Sequence, residues 1–263
     1  MSLDLLFDPL FRLPFITGLL LAGLLPLIGM FLRLRGEWLA ALAFAQMASA
    51  GALVAMVTDV PMLLGGALAA LAAALVKGLM ARAGAHAYAL MMLAAWGAGV
   101  LLVANHPLAE QAGHALFDGQ LYFTGEAHLV ASLVAWSVAA PVLGWLNRSL
   151  LLAHVFPEFH RARGLDPRPR LMVFDVLAGM VIALATVSIG VMAAFALVFV
   201  PPLIASRFGR SWRVGLALAA LVGMLGYSAA FVLSLGFDQP FGPVCALLLV
   251  SLVVVSGVKS DRL

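Results

Sequence analysis

Leu171 to Ser206 reads LMVFDVLAGMVIALATVSIGVMAAFALVFVPPLIAS, 36 residues broken by a single charge, Asp175. At 1.5 Å per residue an unbroken helix of that length would reach about 54 Å, whereas the hydrocarbon core of a bilayer is about 30 Å thick. The run is too long for one crossing and long enough for two short ones. Gly190, with small residues around it, is the expected turn, so 171–206 is read as a hairpin of two spans.

The same chemistry extends over all 263 residues. Hydrophobic residues make up 64% and charged residues 10%, and mean hydropathy is +1.11, more apolar surface than an aqueous fold can cover. Further spans of about 20 residues, the length a bilayer requires, are expected over 14–32, 38–57, 62–80, 87–104, 128–146, 214–235 and 241–257. With the hairpin these make an all-α polytopic transmembrane bundle of eight or nine spans, expected to form a single domain over 1–263. Residues 3–13 mix Asp4, Asp8, Pro9 and Arg12 with large apolar side chains and read as an interfacial segment, without a cleavable signal. Cys245 is the one cysteine and lies in an apolar run, which excludes disulfides within the chain and thiolate metal clusters. The net charge of +3 sits in loops and offers nothing to nucleic acid.

Charge placement tests the hairpin. Nine crossings put Arg33, Arg35, Lys77, Arg82, the cluster from Arg148 to Arg170, the cluster from Arg207 to Arg213, Lys259 and Arg262 on one side, leaving only Arg12 on the other. Basic loops mark the cytoplasmic side, so the C-terminus is expected there. A single crossing over 171–206 would place the two most basic loops on opposite faces.

The hairpin runs out through Val200-Pro201-Pro202-Leu203-Ile204-Ala205-Ser206-Arg207-Phe208-Gly209-Arg210-Ser211-Trp212-Arg213. Proline lacks an amide donor and clashes with the preceding turn, so Pro201 and Pro202 are expected to kink or break the helix, free carbonyls near Leu197 and Val198, and act as a hinge. Ser206, Arg207, Phe208, Gly209, Arg210 and Arg213 then form a short cationic loop suited to being gripped by a partner outside the membrane. Small residues at 67–74, 97–99 and 223–230 read as packing seams, since close backbone approach drives helix association in lipid.

Four stretches carry a family resemblance. They are Asp8-Pro9-Leu10-Phe11-Arg12 with Gly29-Met30-Phe31-Leu32-Arg33-Leu34-Arg35; Leu116-Phe117-Asp118-Gly119-Gln120-Leu121; Pro157-Glu158 with Arg161-Ala162 and Gly164-Leu165; and Gly190-Val191 followed by Pro202, Ala205 and Arg207. In this order they resemble the integral membrane subunit of bacterial ABC importers for zinc, manganese and iron, distant relatives of the vitamin B12 and siderophore permeases. The resemblance implies a permease in the bacterial inner membrane that pairs with a second copy, receives substrate from an extracytoplasmic metal-binding protein, and is driven by two cytoplasmic ATPase subunits. The sequence has no Gly-x-x-x-x-Gly-Lys phosphate loop, so the chain itself is expected to hold no cofactor and to be no enzyme. ATP and Mg would be bound by the partner ATPase. In this frame the loop from Ser206 to Arg213 is the coupling element, and Glu158, Arg161 and Gly164 form a second cytoplasmic contact that could equally be a solvated face.

The substrate end departs from the family. There an Asp-x-x-Ser-His pattern in the second span sets a carboxylate and an imidazole on one helical face, suited to a divalent cation. Here Leu42 stands at the Asp position, Ala45 at the Ser and Gln46 at the His. Gln46 should face the path or a partner helix, because an unpaired amide is costly in lipid. Ser49, Thr186 and Ser188 are the other candidate path residues, and no metal ligand set is assigned. Asp175 and Lys77 lie near the basic end, where they can snorkel or pair with loop arginines. His106, His114 and His128, with Glu110, Asp118 and Glu126, give a ligand-capable composition to a stretch whose spacing matches no known metal motif; it is read as a solvated outer loop that helps to dock the binding protein, with a metal-collecting site as the alternative. The alternatives are a permease for a metal chelate or another small nutrient and, in a different class, an ATP-independent secondary transporter or channel.

Overall fold

The structure is a computed structural model that describes residues 9–79, 84–119, 124–155 and 168–257. These form α1 (Pro9–Leu34), α2 (Trp38–Val57), α3 (Met62–Leu79), α4 (Ala85–Asn105), α5 (Pro107–Asp118), α6 (Glu126–Val155), α7 (Arg168–Ile189), α8 (Val191–Phe208), α9 (Trp212–Phe237) and α10 (Phe241–Val255). Among the described residues seven of them are long and apolar enough to cross a membrane, and α3 and α10 are shorter apolar helices.

The long run divides where its composition says it should. α7 and α8 are separated by Gly190 alone, at φ +90. The break leaves the flanking backbone bonded: Gly190 N–H donates to the Thr186 carbonyl and Ala194 N–H to the Gly190 carbonyl, both at 3.0 Å. A side chain at 190 would be strained by that φ and would strike Gly119, which closes α5 in the left-handed region at φ +71. Gly119 in turn lies against the Ile189 carbonyl and Gly242 of α10, so the hairpin turn, α5 and α10 meet at one point. This is the end opposite the arginines.

α1 is the central post. It packs against α6, α7, α8 and α9, with Leu21, Leu24, Leu25 and Ile28 fully enclosed. α2 packs on α3, α4, α7 and α8, and its Gly51 faces Gly65 of α3 at backbone contact. Of the expected seams, 67–74 packs through Ala69 on Gly51 and Ala70 on Gly179, Gly223 of α9 seats on the Ala22 carbonyl, and in 97–99 Gly99 lies against Leu53 while Gly97 has open space around it. α4 and α6 turn large side chains such as Leu93, Leu101 and Trp145 outward, as lipid-facing helices do.

Four expectations need revision. α1 begins at Pro9, so the final part of the expected interfacial segment is continuous with the first helix, with Phe11 packed against the core. α6 continues past 146 to Val155, tied by Trp212 Nε1 to Asn147 and by Arg170 to Ser149. The outer stretch at 107–118 is a helix, because Ala109, Ala112 and Leu116 form an apolar face that packs on Ala52 and Leu53. α8 runs unbroken through Pro201 and Pro202.

Candidate transport path and coupling surface

At the basic end, charges from the α1–α2 turn, α3 and α7 converge. Arg35 reaches Asp175 with Nη1 at 2.7 Å and Nη2 at 3.5 Å, and its Nη2 lies 2.8 Å from Glu37. Lys77 Nζ bridges the same two carboxylates, at 2.5 Å from Asp175 and 2.8 Å from Glu37. Two cations balance two anions, and the Asp175 side chain is only 8% exposed. Burial alone would loosen the Arg35 proton; Asp175 and then Glu37 outweigh it and raise the guanidinium pKa above its ordinary value. The pairing of Asp175 with a loop arginine is as the sequence suggested, whereas Lys77 pairs with Asp175 and Glu37, and Glu37 as the fourth member was not foreseen. Charges three elements apart carry no mutual spacing in sequence. The cluster walls a cavity of about 1260 Å³, shared with Trp38, Tyr88 and Arg168.

The least covered face of α2 carries Leu39, Leu42, Gln46, Ala50 and Val54, successive positions three or four apart on one helical stripe. Gln46 is its one polar side chain, 9% exposed. Ser49 lies at the stripe's inner edge, buried, its hydroxyl without a partner among the described residues. On α7 the Thr186 hydroxyl donates to the Ile182 carbonyl at 2.8 Å, within its own helix. The Ser188 hydroxyl is buried and has no partner among the described residues, while the residue's carbonyl accepts from Thr124 at 3.0 Å. Among the described residues no hydrogen bond joins the α2 pair to the α7 pair, and no three His, Cys, Asp or Glu side chains could hold a metal ion together.

The α8–α9 turn is exposed and firmly held. Ser206, Arg207, Phe208, Arg210 and Arg213 are exposed and Gly209 half-buried. Ser211 caps α9 by accepting the Val214 N–H at 3.4 Å, the Arg207 guanidinium donates to the Gly257 carbonyl, and Trp212 anchors the start of α9. The Trp212 Nε1 donates to Asn147 at 2.7 Å and its ring meets Phe31 edge-on at 5.3 Å. Pro201 and Pro202 are buried just above. Pro202 leaves the Val198 carbonyl without its usual helix donor, and that oxygen packs against Gly29 of α1, where any side chain would collide with it. Glu158, Arg161 and Gly164 lie outside the described residues.

Residues 8–260 match the family ABC-3, described as the ABC 3 transport family. The chain belongs to this family. Among curated proteins, the high-affinity zinc uptake system membrane protein ZnuB of Haemophilus influenzae is 28% identical over 116 residues, which are 44% of this chain and 44% of that protein. Among solved structures, PsaBC from Streptococcus pneumoniae in complex with Fab superposes with a TM-score of 0.85 at 17% identity, covering 98% of this chain and 95% of that one. An inward-facing structure described as a metal-chelate type ABC transporter gives 0.77 at 16% identity over 97% and 87%. At such identities the likeness is one of fold, and it extends the membership from sequence to architecture: an ABC 3 permease bundle along nearly the whole chain.

Proposed function

We propose that this chain is the transmembrane subunit of an ATP-driven importer that carries a divalent metal ion, zinc or manganese, from an extracytoplasmic binding protein to the cytoplasm. The family match over 8–260 carries the reading, supported by a partial relative named for zinc uptake. It disfavours the ATP-independent carrier. The basic end faces the cytoplasm, C-terminus included, because arginine-rich loops are retained there. The chain is a transport subunit, and Mg-ATP hydrolysis belongs to separate ATPase subunits; a second permease copy completes the assembly in the inner membrane.

In this reading Ser206, Arg207, Phe208, Gly209, Arg210 and Arg213 are the surface on which the ATPase pushes. A turn locked by Trp212 converts that push into motion of α8 and α9 as rigid bodies. Gln46 marks the path along α2, with Ser49 beside it and Thr186 and Ser188 nearer the outer end of α7, and Pro201–Pro202 is where α8 bends during the cycle. The missing carboxylate and imidazole at Leu42 and Gln46 favour one second reading, a metal chelate as cargo, since a complexed ion needs no ligands from the wall.

The test is assembly. Expressed with its cognate ABC ATPase and binding protein, the chain should purify as a stoichiometric complex whose ATP hydrolysis responds to the loaded binding protein. Recovery of the chain with neither, from membranes containing both, would refute the proposal.

A further inference from the structure

α8 is buried at every position from Val191 to Ala205 except Met192, Phe195, Phe199 and Leu203. Spaced three or four apart, these four make one helical stripe, and its next position is Ser206 in the exposed α8–α9 turn. The stripe lies beside the least covered face of α2. Trp38, at the start of α2, meets the Phe199 ring edge-on at 4.8 Å, and Phe199 stacks on Phe195 at 5.6 Å with 15° between the planes. Arg33, in the last turn of α1, lies over the Trp38 ring at 5.5 Å, a cation–π contact that helps to fix the indole. All three rings are only half-buried.

α2 leaves the basic end after Arg35 and α8 returns to it at Arg207, so the two stripes run in opposite senses. Gln46 stands eight residues on from Trp38, about 12 Å further from the basic end at 1.5 Å per residue, roughly level with Met192. Between the two levels the paired stripes carry only Trp38, Leu39, Leu42, Phe195 and Phe199. The one polar point of α2 is thus separated from the basic end by an apolar, largely aromatic wall. An apolar constriction bars a hydrated ion by dewetting and needs no ligand to do so.

We propose that Trp38, Phe195 and Phe199 form the inner gate of the transport path, opened by displacement of α8. The inference rests on the importer reading, which supplies the direction of transport and the second copy whose equivalent stripes face these across the path. What it adds is the link from drive to gate. Phe199 sits on the same helix that ends in the turn at Ser206 to Arg213, so a push on that turn moves Phe199 relative to Trp38 as α8 shifts against α2. A gate that excludes water suits a path with Leu42 and Gln46 in place of a carboxylate and an imidazole.

The experiment reads one introduced thiol. The native Cys245 is fully buried, so Gln46→Cys supplies the reactive cysteine of this chain. The complete transporter is placed in proteoliposomes with its ATPase side outward and no nucleotide, and a membrane-impermeant maleimide is added outside, with labelling followed on this chain alone. Q46C should be protected. Q46C/F199N, which wets the wall, should label at least about tenfold faster, whereas Q46C/F199L, which keeps it apolar, should stay protected. F195N and W38Q put the same polarity into the wall and replace F199N if that variant does not fold. Equal labelling of Q46C with and without the polar substitutions overturns the gate, and so does F199L labelling as fast as F199N, which would make the ring a packing element. Metal uptake separates the two readings. ATP-driven uptake by wild type together with equal labelling throughout means that only the gate fails; labelling as expected with no metal uptake by wild type means that only the importer reading fails.

Discussion

Replacing Asp175 by Asn keeps the shape of the side chain and removes one charge from a site where four balance. Arg35 and Lys77, 12% and 11% exposed, would then share Glu37 alone. Removing one partner of a buried ion pair strands the other and costs about 3–5 kcal/mol. For a chain of this size each kcal/mol moves the melting temperature by about 2–4 °C, so D175N should melt on the order of 10 °C lower in detergent or nanodiscs. The cause is checked by a second substitution. D175N/K77M removes the stranded ammonium as well, leaving Arg35 with Glu37 at 2.8 Å, and should recover at least half the loss. The reasoning fails if D175N melts within about 2 °C of wild type, or if the double variant is no more stable than the single one.

Four further variants probe the other elements. Gly190→Ala forces a side chain into positive φ and against Gly119, and should cost at least about 1–3 kcal/mol by thermal melting, whereas Gly97→Ala, with open space around it, should be neutral. R207Q/R210Q gives up the exposed Arg207–Gly257 hydrogen bond, so melting should fall only slightly, but it should uncouple the assembled transporter, with ATP hydrolysis no longer stimulated and uptake reduced at least about tenfold, equivalent to 1.4 kcal/mol; normal coupling would remove the turn from the drive surface. Pro201→Ala with Pro202→Ala restores two amide donors to α8 and should stiffen it, slowing the exchange between outward-facing and inward-facing states seen by distance measurements between spin labels. Exchange at the wild-type rate would leave the prolines as static packing.

The crossings were legible because lipid imposes length and apolarity on every span, and because one charge asymmetry discriminates between one and two crossings of 171–206. Gly190 could be found as a turn since only glycine sits easily at its φ. The stretch at 107–118 was misread through its polar side chains: the signals for a helix, Pro107 at its start, Gly119 at its end and apolar Ala109, Ala112 and Leu116 between them, were all present. The unbroken path of α8 was hidden for another reason. A freed Val198 carbonyl is tolerated only because Gly29, far away in the chain, lets α1 come close, and no local rule records that. Glu37 joined the charge network unannounced for the same cause, tertiary convergence of separate elements. Gln46 was identified as the polar point of α2, and its stripe is the helix's least covered face.

The central claim is that an ABC ATPase drives a divalent metal ion through this chain. Proteoliposomes carrying the permease with its ATPase, Mg-ATP inside and loaded binding protein outside, should accumulate zinc or manganese in an ATP-dependent manner when scanned against iron and a metal chelate. Accumulation that persists without ATP, or transport of the chelate with none of the free ions, would contradict the account.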